Sequence, residues 1–354
     1  VSRLRRTRRP GVRLAFDLTT LGLIGALLLA ALGAGTAALY QEFYSPSAFV
    51  QRYLSMLESG RAADALALPG VSLDSSELTD AGLPASASDA LLRSAALGSL
   101  TDAHVVSEQT DGADTVVTAS YVAGGHDGTT SFRVRSNGTL GFIPTWRFSQ
   151  SPLAVMNLMV LGSSTFDVNG FRVDRRQVSP DGVDADPVAP VSLLVFSPNL
   201  YSVTVNSALS TSEGLAVLAD APMVNVPVTV QTKPTDEFVK VVQQRVEEFL
   251  TACSTQQVLQ PTGCPFGFVV RNRVEKLPTW SITQQPTVEV LPNGAGWVIP
   301  DADAVAHIDL EVRSLADGSL REVSEDVPFV VNGTIDILPD GTASIRIGGY
   351  DPGL

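Results

Sequence analysis

The hydrophobic pattern is helical first and strand-like afterwards, and this order occurs twice. "SPSAFVQRYLSMLESGRAADALAL" (45–68) places Phe49, Tyr53, Leu54 and Leu57 at helical spacing, with Ser45 or Ser47 positioned as N-cap and Gly60 as the stop. A polar, serine-rich stretch leads to a second, short helical run, "SDALLRSAAL" (88–97). Alternation then takes over. "DTVVTASYV" (114–122) and "TSFRVR" (130–135) flank a turn at "GGHDG", and "NGTLGFIPTWRF" (137–148) closes the unit. In the last third, "PTDEFVKVVQQRVEEFL" (234–250) is again an amphipathic helix, with Phe238, Val242, Val246, Phe249 and Leu250 on one face. "VAHIDLEVRSL" (305–315) follows as a strand, turning Ala306, Ile308, Leu310 and Val312 inward and His307, Asp309, Glu311 and Arg313 outward. An "ADGS" turn, "VPFVVNGTIDIL", a "PDG" turn and "TASIRIG" complete it.

The two stretches align. "VQRYLS" (50–55) matches "VEEFLT" (246–251) at an offset of 196, and "NGTL" (137–140) matches "NGTI" (332–335) at 195. A shared offset at opposite ends of each unit is the mark of a diverged duplication. It sets Tyr53 against Phe249 and Asn137 against Asn332. Each Asn-Gly reads as a hairpin turn, which also accounts for the two "NGT" sequons. Residues 151–230 differ. "STFDVNGFRV" (164–173) and "APVSLLVFSPNLYSVTVNS" (189–207) read as strands with no helical stretch, which suggests a small β-sandwich. "SPDGVDADPVAP" (179–190) reads as an exposed acidic loop, and "VPVTVQTKP" (226–234) as the link to the last unit.

The N-terminus adds a location. Six arginines (Arg3, Arg5, Arg6, Arg8, Arg9 and Arg13) precede an uncharged run from Leu18 to Gln41. About 20 apolar residues suffice to cross a bilayer, and one-sided basic charge holds its side in the cytoplasm. The expectation is a cytoplasmic basic tail (1–17), a transmembrane helix (18–41) and extracellular domains beyond it. A cleaved signal peptide is the alternative, with "GTA" (35–37) as its cleavage site. Gly22, Ala26, Ala30, Ala34 and Ala38 fall every fourth residue, a small-residue stripe of the kind through which helices dimerise.

Beyond residue 16 the chain carries 18 basic residues (24 less the six arginines) against 37 acidic ones, a net charge of −19. Nucleic acid is not a partner this surface suits, because phosphate binding needs clustered cations. Export also decides how the only two cysteines, Cys253 and Cys264, are read. Outside the cytoplasm two close cysteines pair as a disulfide. Zinc would want four ligands, and the nearest histidine in sequence is His307. A redox pair normally has a two-residue gap.

The order of tail, anchor, helix-then-sheet unit, β-unit and second helix-then-sheet unit is similar to that of the membrane-anchored teicoplanin-resistance-associated proteins of Gram-positive bacteria. "VNG" (168–170) followed by "FSPNLYSVT" (196–204) resembles their middle β-domain, and "CPFG" (264–267) resembles their actinobacterial members. The resemblance implies an α+β chain: an N-terminal transmembrane helix, then NTF2-like cone domains at 45–150 and 234–350 flanking a β-sandwich at 151–230. It implies a role in cell-envelope assembly or maintenance, exercised by binding an envelope protein or a wall precursor.

The remaining candidate chemistry is sparse. NTF2-like enzymes set a His, Asp or Tyr deep in the cone as general acid or base. Here His104 starts a strand, His126 lies in a turn, and His307 is on a polar face. "DADAVAHID" (301–309) gathers Asp301, Asp303, His307 and Asp309, but it lacks the glycine and terminal glutamate of an EF-hand loop, and the first two aspartates read as a turn. No catalytic residue, cofactor or metal is assigned from the sequence. The rival reading is a small-molecule isomerase, dehydratase or hydrolase using one cone.

Overall fold

The computed structural model describes residues 20–31, 42–141, 143–186, 188–338 and 342–348. Residues 20–31 are helical. The basic tail, the rest of the expected 18–41 span, the "GTA" site and the "PDG" turn lie outside the described residues. Among those described, no helix is long and apolar enough to cross a membrane. The fold is mixed α+β, mostly strands in several sheets. Described residues up to Ser72 group with Leu100–Pro152 in one compact unit, and Leu73–Ser99 group with the chain from Leu153 onward in another.

In the first unit, helix α1 (Pro46–Glu58) starts at Ser45, whose Oγ accepts from the Ala48 N–H at 3.1 Å. Proline at the first position costs nothing there, because its missing N–H would be an orphan donor. The expected stripe is buried: Phe49, Tyr53, Leu54 and Leu57, with Val50 beside them. Gly60 leaves the helix at φ +69°, a conformation that favours glycine, and a short α2 (Ala62–Leu66) follows. The stripe packs on an antiparallel meander of β1 (Leu100–Asp111), β2 (Asp114–Ala123), β3 (His126–Leu140) and β4 (Ile143–Phe148). The Tyr53 ring meets Phe132 and Phe148 edge-on at 5.8 and 5.3 Å. Strand β1 bulges between Thr101 and Val105. The helix satisfies the bulge. Gln51 bonds the Ala103 carbonyl and the Val105 N–H, and Glu58 accepts from the Ala103 N–H.

In the second unit, α3 (Ser75–Asp80) opens on a capping box between Asp74 and Glu77. The helical run expected at 88–97 does not form; only a 3₁₀ turn, Ser94–Ala96, is present. Ser88 instead bridges Leu193, its N–H bonding the Ser192 carbonyl at 2.9 Å, and Leu91 is fully buried. Tertiary pairing overrides a weak local propensity. Around one apolar core lie two sheets. Their strands are β5 (Leu153–Leu161), β6 (Thr165–Val168), β7 (Phe171–Asp174), β8 (Val191–Phe196), β9 (Asn199–Thr204), β10 (Ser210–Thr211, outside these two sheets), β11 (Leu215–Ala219) and β12 (Asn225–Gln231). The orders are β11-β9-β6-β7 and β12-β5-β8.

Two expectations change here, and a third, the exposed acidic loop, holds with added structure. The stretch 226–234 is no mere link, since β12 pairs in parallel with β5 along its length. The region is not free of helix, because β7 runs into α4 (Arg175–Val178). The acidic loop carries a 3₁₀ turn, Gly182–Asp184, and is tied down by the buried Arg175, which donates to the Asp186 carbonyl. The same guanidinium donates to the Val160 carbonyl at 2.9 Å, and burial pulls its pKa down from the usual arginine value. Asn169 and Gly170, both at positive φ, make the expected "VNG" hairpin.

After β13 (Lys233–Pro234), which pairs with β10, the Thr235 side chain caps α5 (Asp236–Ser254). Strands β14 (Arg273–Gln284), β15 (Leu291–Asn293), β16 (Gly296–Arg313), β17 (Leu320–Ile337) and β18 (Ala343–Gly348) form the last sheet, in the order β14-β16-β17-β18 with β15 also on β16. At the offset of 196 the buried positions of the two long helices coincide: Val50 with Val246, Leu54 with Leu250, Leu57 with Cys253. Tyr53 is fully buried, while Phe249 is half-buried against the core. Asn137 and Asn332 are not turns, contrary to expectation. Both lie inside a strand, β3 and β17, each near its pairing with the last strand of its sheet.

Candidate functional site

The cysteines form a disulfide between the last turn of α5 and the loop that leaves it. Ten residues lie between them in sequence, and the loop 256–270 has no regular structure of its own. Its shape comes from side chains. The Thr262 N–H bonds Gln256 Oε1 at 2.9 Å, and the Phe268 N–H bonds the Leu259 carbonyl at 2.8 Å. Trp280 Nε1 on β14 donates to the Val258 carbonyl at 2.8 Å. Phe266 enters the core between Trp280 and Phe329, with ring centroids 4.9 and 5.1 Å away. The disulfide holds the loop at the helix end, and Phe266 holds it onto the sheet.

Between this loop and β17 lies a groove of about 910 Å³. The loop contributes Pro261, Pro265, Phe266 and Val269, and β17 contributes Val327, Pro328, Phe329 and Val330. Gly348 of β18 also lines it. Among the described residues Asp301 is the only ionisable side chain in its lining, and Asn332 Nδ2 donates to its carboxylate at 2.8 Å. The aspartates expected in a turn are inside β16, where the register slips between Ile299 and Ala302. That bulge carries Asp301 to Asn332. Such a surface can hold an apolar ligand and orient it by one carboxylate.

The other sequence candidates lie elsewhere. His126 is exposed at the start of β3. His104, aimed by the β1 bulge, takes the Asp102 carbonyl at Nδ1 (2.8 Å) and Ser120 Oγ at Nε2 (3.1 Å). They line an open depression of about 590 Å³ with Asp127 and Thr129. His307 lies on the outer face of β16. Its Nδ1 is 2.7 Å from Asp326 and its Nε2 is 3.0 Å from Ser324 Oγ, an order resembling a hydrolase triad. Asp309 is also 3.4 Å from Nε2. The hydrogen bond to Asp326, and then the nearby carboxylate charges, raise the His307 pKa, which favours the imidazolium over a general base. Asp303, also on β16, does not join them. Among the described residues no group of three or more His, Cys, Asp or Glu side chains is placed to hold a metal ion.

Sequence reasoning missed the groove and the Asp301–Asn332 contact, which joins residues 31 positions apart. The uncharged loop "QPTGCPFGFVV" (260–270) was the one available signal: it is apolar enough to need a surface to lie against. Comparison with protein-family models, curated proteins and solved structures gave no match.

Proposed function

We propose that this chain is a non-catalytic binding or scaffold protein of the cell envelope, acting outside the cytoplasm on an envelope protein or wall precursor. In this reading a transmembrane helix over 18–41 anchors it, and two NTF2-like cones flank a β-sandwich. The helix-then-meander order of Pro46–Phe148 and Asp236–Gly348 supports the cones. The disulfide supports the oxidising side of a membrane.

The observation that carries the reading is the groove. It is floored by Phe266 and Phe329, and the one carboxylate among its described lining residues is already bonded to an amide, so those residues offer a ligand shape and apolar contact rather than an acid–base pair. Photo-crosslinking residues placed one at a time at exposed positions over both units, in intact cells, test it. One envelope protein or wall precursor should be captured recurrently from neighbouring positions. Capture of lipid alone, or of nothing from any position, would refute it.

One geometry favours a hydrolase instead: the Ser324–His307–Asp326 row. It lies on an open sheet face, and Asp309 opposes the neutral imidazole the reaction needs. Labelling of Ser324 by a fluorophosphonate, abolished in His307→Ala, would reverse the ranking.

A further inference from the structure

We infer that the open edge of β17 beside the groove is a docking site for an extended, basic peptide segment of a partner, added as a further strand. The inference rests on the binding reading above and names the mode and chemistry of that site. Strand β17 pairs with β16 along most of its length, and the described residues of β18 cover Asn332–Ile337 of its other edge. Among the described residues no strand pairs with that edge from Leu320 to Val331. An uncovered edge presents a row of main-chain donors and acceptors, which an extended peptide satisfies whatever its sequence. The groove opens along this edge, at Val327–Val330. A strand laid there would bury alternate side chains against Phe329, Pro265 and Val269, and Val269 is 78% exposed without it.

Charge selects the occupant. Leu320–Val331 carries Glu322 and Glu325 against Arg321, with Asp326 paired to His307, and among the described residues the groove adds Asp301 with no cation in its lining. A second copy of the same edge would set like charges opposite one another and meet Pro328, which has no N–H to give. A partner segment with apolar residues at alternate positions and Lys or Arg at its ends avoids the like-charge clash, and it forgoes one main-chain bond at Pro328. The first unit's bulged edge differs. At Ala103 and Val105, α1 side chains already occupy the backbone of β1.

The probe is a fluorescent nine-residue peptide alternating Val and Thr, with a Lys at each end, titrated onto the full chain in detergent. Saturable binding is expected. Val330→Asp, at an exposed position, should weaken it about tenfold or more by placing another carboxylate in an apolar wall. Asp301→Lys should reverse the preference toward the same peptide with Glu at its ends, a change that general destabilisation would not produce. Absence of binding, equal binding of Lys- and Glu-ended peptides to the unaltered chain, or indifference to both substitutions would overturn the inference. Binding that appears only after deletion of 349–354 would give the edge to the chain's own C-terminal residues. A dimer lost in Val330→Asp would give it to a second copy. Crosslinks to a partner from other faces, but none from position 330, would remove this site and leave the binding reading standing.

Discussion

His307 shows how far one side chain depends on its neighbours. Two carboxylates and a hydroxyl surround the ring, and the contact with Asp326 raises its pKa. A histidine whose folded pKa exceeds its unfolded value contributes stability that is fully present below the unfolded pKa, about 6.5, and lost as pH rises through the folded one. Asp326→Asn should therefore lower the His307 pKa, read by NMR titration of the ring protons, and flatten stability against pH in that window. An unchanged titration would show that the contact does not form in solution. Tyr53 is the second residue-scale test. Tyr53→Ala should cost the first unit about 3–5 kcal/mol, because it empties the centre of an aromatic cluster. A loss under about 1 kcal/mol in chemical denaturation would place the ring outside the core. Tyr53 was legible from helical spacing alone. The His307 contacts were not, because Ser324 and Asp326 approach it only once β16 and β17 are in register.

At the scale of elements, what could be read followed from what each element needed from distant chain. Helices α1 and α5 needed only their own periodicity: the α1 stripe is buried as expected, and so is the α5 stripe except for the half-buried Phe249. The 88–97 run had helical composition, but the bridge from Ser88 to Leu193 and the burial of Leu91 in the second unit's core pull the segment out of a helix. The two Asn-Gly steps carry a turn signal in any sequence, yet both are strand-internal, because β4 pairs on either side of Asn137 and β16 on either side of Asn332. Arg175 could not be assigned from sequence, since its acceptors, Val160 and Asp186, are 15 and 11 positions away. The disulfide makes the clearest element-scale prediction. Replacing Cys253 and Cys264 together by serine should lower the second unit's stability by roughly 2–3 kcal/mol, the loop-entropy value for so short a closure. The first unit's transition should not move. Equal loss in both units, or loss in neither, would contradict this.

At the scale of the molecule, one claim supports the others. The disulfide, the acidic surface and a basic peptide partner belong together only if the folded units stand outside the cytoplasm. Beyond residue 16 a net charge of −19 suits solubility and selects cationic partners, but it does not by itself give location. The proposed location rests on the basic N-terminal residues and the uncharged 18–41 run, read through the charge rule for membrane insertion. The direct test is thiol accessibility. In a Cys253→Ser, Cys264→Ser background, Asp317→Cys places one cysteine in the exposed turn between β16 and β17. A membrane-impermeant maleimide should label it in intact cells, to the same extent as after lysis. Labelling that appears only after lysis would place these domains inside the cell and contradict the account.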